Sequence, residues 1–300
     1  MRVWTSGPLL VLLSVLEAGC GGGAETRSPP PAVQPLPEDE DGIRCLFDAE
    51  DVKRWTPGLG SAFAVAKDGD LLIQGADNIF DTGTGTAICG EPFARSFHFA
   101  ADREGTVYTI DGRTFGIVIA GAVTKLTELP EEGFRVTVAS ADRLYLYGPS
   151  PDGKAVVYLL TRNREGKTMV QQFLTLSGKI AALAPYGADL LLVQGNSLYQ
   201  AGLRRDGKVG AVLLADLTAG RPILSLAADG ARRLAFVSTS EETYCLGPGG
   251  FVPILAFGGE LSLSGEVNEK LFVYQPSEKR AFEVNLPRLF ARLAAQPTER

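Results

Sequence analysis

Histidine is almost missing from this 300-residue chain: His98 is the sole one. A Ser-His-Asp triad could form only around that residue, and a metal site built from several imidazoles is excluded. Cysteine is sparse and spread out, at Cys20, Cys45, Cys89 and Cys245, too few for a disulfide framework. No apolar run approaches the ~20 residues that a membrane-spanning helix needs. Charge is thin at 21%, and the net charge of −6 leaves no basic footprint for nucleic acid. Glycine is abundant instead, with 35 residues, and an apolar content of 45% is ample for a core.

The chain opens on a targeting segment, residues 1–19. Arg2 supplies a short positive region, and the apolar heart from Pro8 to Leu16 is nine residues long. That length suits a signal sequence and is too short to cross a bilayer. Leu16-Glu17-Ala18-Gly19-Cys20 follows, then Gly21-Gly22-Gly23. These residues resemble the lipobox of bacterial lipoproteins, in which small residues precede a cysteine that is acylated and becomes the mature N-terminus. Ala18, Gly19 and Cys20 match the pattern, whereas Glu17 stands where the family has an apolar residue. The resemblance implies lipid attachment at Cys20. With Gly21 in place of an aspartate, it also implies an outer-membrane address in the cell envelope. Ordinary secretion with cleavage near residues 18–24 is the alternative.

Residues 20–42 read as a tether. Five prolines fall between Ser28 and Pro37, and the acidic run Glu38-Asp39-Glu40-Asp41 follows. Proline at this density favours extended polyproline II, and the acidic run has no apolar partners, so a disordered spacer is predicted.

From residue 43 a single pattern recurs: an alternating apolar run, a polar or glycine turn, and a second apolar run. Its six second runs are anchored at Leu71, Val107, Leu144, Leu190, Leu234 and Leu271, at intervals of 36, 37, 46, 44 and 37 residues. A period near 40 made of short strands predicts propeller blades of four strands each. The fold class expected is therefore all-β, a six-bladed β-propeller over residues 43–290. Seven blades is the alternative if the two long intervals hide another. The last blade is one strand short, and Ile43–Phe47 is available to complete it and close the ring. Pro287–Leu293 reads as helical, and residues 291–300 as a C-terminal tail.

Asp68-Gly69-Asp70-Leu71-Leu72, Glu104-Gly105-Thr106-Val107-Tyr108 and Asp142-Arg143-Leu144-Tyr145 resemble hairpins of the NHL and SMP-30/gluconolactonase-like six-bladed propellers. The WD40 Trp-Asp dipeptide, the paired glycines of kelch repeats and the repeated tryptophan of quinoprotein blades are missing. The gluconolactonase likeness implies a divalent cation held by carboxylate and amide oxygens, with no histidine required. Asp68, Asp102, Asp142, Asp189 and Asp229 all fall in first hairpin turns, where turn chemistry explains them equally well. They are expected in solvated turns at one end of the ring, so no metal site and no cofactor is assigned.

His98, between Phe97 and Phe99, is expected to be a packed structural side chain. Gly83-Thr84-Gly85-Thr86 lacks the third glycine and following helix of a dinucleotide loop, and is read as a turn. Cys45 and Cys89 could pair, or all three mature thiols could act as small buried groups. Trp55, Phe93 and Phe134 sit among glycines and prolines between blades and are candidates for a partner face.

The function expected is a membrane-tethered, non-catalytic scaffold that binds an envelope protein. The alternatives are a divalent-metal lactonase-like hydrolase acting in the channel and a sensor for a small ligand.

Overall fold

The computed structural model describes residues 38–39, 42–52, 62–66, 69–93, 97–102, 104–162, 168–205, 207–217, 220–264 and 269–295. The leader, Cys20, nearly all of the tether, Trp55 and Asp68 lie outside them.

Six four-stranded antiparallel sheets follow one another along the chain. The first strand of the chain, β1 (Ile43–Phe47), precedes a short helix, α1 (Ala49–Val52), and then the blades begin. Blade one holds β2 (Phe63–Val65), β3 (Leu71–Gln74), β4 (Ile79–Asp81) and β5 (Thr86–Ala87). Blade two holds β6 (Phe97–Ala101), β7 (Val107–Asp111), β8 (Thr114–Ile119) and β9 (Ala122–Glu128). Blade three holds β10 (Arg135–Ser140), β11 (Arg143–Pro149), β12 (Ala155–Arg162) and β13 (Thr168–Leu176). Blade four holds β14 (Ala182–Tyr186), β15 (Asp189–Gln194), β16 (Ser197–Leu203) and β17 (Val209–Asp216). Blade five holds β18 (Ser225–Asp229), β19 (Leu234–Ser238), β20 (Thr243–Gly247) and β21 (Gly250–Leu255).

Blade six contributes β22 (Glu260–Ser264), β23 (Lys270–Gln275) and β24 (Arg280–Asn285). Its outer strand is β1, paired antiparallel with β24 from Ile43 opposite Val284 to Phe47 opposite Ala281. The ring is six-bladed and closed by its own N-terminal strand, as the repeat arithmetic predicts. Helix α2 (Leu286–Ala295) follows directly, with Leu286 and Leu289 buried, so it begins several residues before the tail boundary expected at 290.

The innermost strands β2, β6, β10, β14, β18 and β22 adjoin one another in a complete circle. Each starts at the end where one blade connects to the next, here the loop end. Each finishes in the first hairpin turn, at the opposite, hairpin end. Since the strands alternate direction, the turn joining third to fourth strand also lies at the hairpin end.

Six apolar clusters hold the ring together, one between each pair of neighbouring blades. The second strands are therefore apolar on both faces. Leu190, Leu191, Leu192 and Val193 of β15 are all fully buried, a continuous run that period-two alternation cannot produce. Gly230, after β18, shows how tightly the blades meet. A Cβ there would stand 2.1 Å from the backbone nitrogen of Gly187 in blade four. A register irregularity recurs between third and fourth strands in blades two to five, as at Phe115/Gly116 and Val157/Tyr158. Such bulges add local twist to the outer strands.

Candidate binding channel

A channel of about 1270 Å³ runs along the axis, lined mainly by the six inner strands. Ala64, Ala66, Ala100, Ala182 and Ala184 keep its wall thin, as six converging strand edges require. Each inner strand is the free edge of its blade, so unpaired backbone groups face neighbours and the axis.

Side chains near the loop end bind those groups from one blade to the next. The Val136 N–H of blade three donates to His98 Nδ1 of blade two at 3.5 Å. Arg135 Nη1 donates to the Ala181 carbonyl at 3.4 Å, reaching blade four from blade three. The Leu261 N–H of blade six donates to Ser225 Oγ of blade five at 2.9 Å. Gln74 Nε2 of blade one donates to the Phe97 carbonyl of blade two at 2.8 Å.

The same mouth gathers charge. Arg135 acts electrostatically on His98, Tyr147 and Glu260, although the four residues come from blades two, three and six. Burial, reinforced by the Arg135 charge, lowers His98 to about 3. The imidazole is neutral at physiological pH, with Nδ1 accepting and the proton on Nε2. Burial raises Glu260, against the opposing pull of Arg135 and of the Ser225 hydroxyl. Burial likewise raises Tyr147 and Tyr274, with Glu260 adding to the shift at both phenols.

The hairpin end is polar in a different way. Asp102 and Asp229, expected in solvent, are buried, because their carboxylates turn inward onto backbone donors. Asp102 Oδ1 accepts from the Glu104 and Thr106 N–H groups, and Asp229 Oδ1 from those of Ala231 and Arg232. Asp189 accepts from Gln200 at 2.6 Å, and Asp142 is exposed. The Asp102 and Asp229 contacts are turn chemistry, and that of Asp189 crosses to the adjacent strand. Asp81 treats the Gly83–Thr84 turn in the same manner, which places that glycine pair in a hairpin.

The expected partner-face aromatics are placed otherwise. Phe93 is buried and stacked on Phe97 with centroids 4.5 Å apart. Phe134 is 2% exposed, inside the cluster between blades two and three and 5.9 Å from Tyr158. Both connections fold back over the blades, so neither ring is available at a surface. Cys45, Cys89 and Cys245 are free thiols, and burial pushes Cys89 and Cys245 up to about 11. Arg135, Tyr147, Ser225 and Glu260 were not among the residues singled out from sequence. A polar or charged residue at or beside the start of an inner strand is the signal that would have found three of them.

The donor set does not fit the divalent cation that a gluconolactonase likeness implies. Among the described residues no three His, Cys, Asp or Glu side chains come close enough together to share an ion. Within the loop-end mouth, Glu260 is the carboxylate that faces the channel, and the Arg135 cation stands beside it.

No protein-family model and no curated protein sequence matches the chain. Solved structures do match its fold. A gluconolactonase from Xanthomonas campestris aligns with a TM-score of 0.61 at 13% identity, covering 82% of this chain and 89% of that one. A second protein carrying a gluconolactonase designation aligns at 0.56 and 14% identity, over 81% and 91% of the two chains. The hydrazine synthase of Kuenenia stuttgartiensis aligns at 0.53 and 12% identity, over 81% and 89%. At these identities the likeness is one of fold, and the fold is a β-propeller.

Proposed function

We propose that this chain is exported, acylated at Cys20 and held on the envelope membrane by residues 20–42, and that its propeller binds a protein partner without performing chemistry. One observation carries the non-catalytic part of the reading. Several polar side chains at the loop end are committed to joining blades: the His98, Ser225, Arg135 and Gln74 side chains each bond a backbone group of a neighbouring blade. A histidine general base needs a free nitrogen and a pKa near the working pH, and His98 offers neither.

The loop end is the partner side. Exposed carboxylates gather there, including Asp77, Glu91, Glu132 and Glu278. A groove of about 620 Å³ opens beside Glu241, Glu242 and Glu278. This end suits a basic partner surface. The experiment is affinity capture from detergent-solubilised envelopes with the native chain and with a Glu132→Lys, Glu278→Lys chain. A stoichiometric partner lost from the double variant supports the reading, and capture indifferent to charge reversal refutes it. Intact mass of the mature protein tests the anchor: the reading requires an N-terminal, lipid-modified Cys20.

A second reading, lactone hydrolysis in the channel, draws on the gluconolactonase fold neighbours and on a channel large enough for a sugar lactone. Lactone turnover with added divalent cations, measured beside a Glu260→Gln variant, supports it if activity appears and falls with the substitution.

A further inference from the structure

The outer strands of blades two to five leave large apolar side chains in solvent; Leu213 and Leu214 lie in the loop-side half of β17, whereas a group in blades two, three and four lies at the hairpin end. Ile119 closes β8 at its turn, Met169 and Val170 open β13, and Leu203 closes β16 at its turn. Val212 and Val252 stand further along β17 and β21. Leu203 is 71% exposed and Ile119 55%. Isolated exposed leucines need no explanation, but apolar groups at the same hairpin end of three consecutive blades form an arc.

The charge beside this arc is of the opposite sign to the protein's. The turn following Leu203 reads Arg204-Arg205-Asp206-Gly207-Lys208, net +2 in a chain of net −6. Arg204 and Arg205 are exposed, and Arg204 reaches the Ala211 carbonyl of its own hairpin at 3.1 Å. Arg232 and Arg233, in the first hairpin turn of blade five, are exposed at the same end. Exposed Glu104 and Asp142 share this end, but the turns beside Leu203 and in blade five carry arginine and lysine. Apolar side chains beside such turns are the pattern of an interfacial membrane surface, where the former enter the acyl boundary and the latter meet anionic headgroups.

Chain direction agrees. Because Ile43 pairs with Val284 near the end of β24, the polypeptide preceding the propeller joins it at this hairpin end. A second copy seated end to end would set basic turns against basic turns, which disfavours self-association there.

We propose that the hairpin end of blades two to five rests on an anionic lipid bilayer, leaving the acidic loop end directed away from it. This orientation does not depend on acylation of Cys20, and the two are separable. All strands of the closed ring lie within residues 43–285, so a chain beginning at Gly21 keeps the whole fold and lacks both leader and anchor.

That chain is sedimented with vesicles of phosphatidylcholine alone and with vesicles containing one third phosphatidylglycerol. The expected result is binding to the anionic vesicles that weakens with salt. Removing one buried apolar group and placing a charge there, Leu203→Asp, should weaken it by at least about tenfold, and Arg205→Glu by about the same. Both positions are exposed, so melting temperatures stay unchanged, and Glu132→Lys at the loop end leaves vesicle binding intact or strengthens it. Failure to bind anionic vesicles, or binding indifferent to Leu203→Asp and Arg205→Glu, overturns the proposal. So does a concentration-dependent dimer abolished by Leu203→Asp, which would make the arc a protein interface.

Discussion

Acidification should destabilise this propeller through one side chain. His98 has an ordinary pKa of 6.5 when the chain is unfolded and about 3 when folded, because burial and the Arg135 charge both oppose the imidazolium. Below pH 6.5 the unfolded state takes up a proton that the native state refuses, so stability falls as pH drops and levels off only below about pH 3. Between pH 7.5 and pH 5 the linkage amounts to about 2 kcal/mol. For a chain of this size that is roughly 4–8 °C in melting temperature. With a single histidine, no other imidazole contributes in this window. The partner of the experiment is His98→Gln, whose amide oxygen can accept the Val136 N–H without titrating. Urea unfolding at the two pH values should show the native chain losing about 2 kcal/mol more than the variant. Carboxylate contributions, that of Glu260 included, are common to both proteins and drop out of the comparison. Equal losses in the two proteins would refute the neutral imidazole and the cross-blade bond with it.

Four further outcomes follow from the packing. Gly230→Ala must push a Cβ into the Gly187 backbone of the next blade and should cost about 1–3 kcal/mol in chemical denaturation. Thr109 is fully buried with no partner for its hydroxyl, so Thr109→Val should be neutral or stabilising by up to about 1 kcal/mol in the same assay. Deleting residues 43–47 exposes the edge of β24 and opens the ring, and size-exclusion chromatography should show aggregation where the closed chain elutes as a single species. For the chain beginning at Gly21, thiol titration should find three groups in denaturant, with Cys89 and Cys245 reacting slowly in the native state because burial raises both.

The two ends of the ring now have different characters, and strand direction is the cause. Antiparallel blades of four strands put every inter-blade connection and the second-to-third-strand turn at one end, and the first-to-second and third-to-fourth turns at the other. Acidic loops and an acidic groove occupy the first, and apolar tips flanked by basic turns occupy the second. A partner on one side and a membrane on the other are compatible uses of one rigid body.

Blade count, closure and the place of each second strand were legible in the sequence because they rest on local signals repeated six times. Leu71, Val107, Leu144, Leu190, Leu234 and Leu271 and their preceding turns mark second strands, and Ile43–Phe47 was the spare strand for an incomplete last blade. Turn aspartates were legible as turn residues for the same reason, although not the burial of Asp102 and Asp229. Everything at the axis and between blades depended on the tertiary structure. Arg135 and Glu260 are 125 residues apart and meet because both open inner strands of a closed circle. Phe93 and Phe134 stand in loop-like sequence yet are buried, since the connections carrying them fold over a cluster contributed by two blades. Leu203 and Leu191 are leucines of neighbouring strands in one blade; position in the blade decides, because Leu191 is central in a second strand packed between blades whereas Leu203 ends a third strand at its turn. Local pattern determines a strand, whereas its burial is a property of the ring.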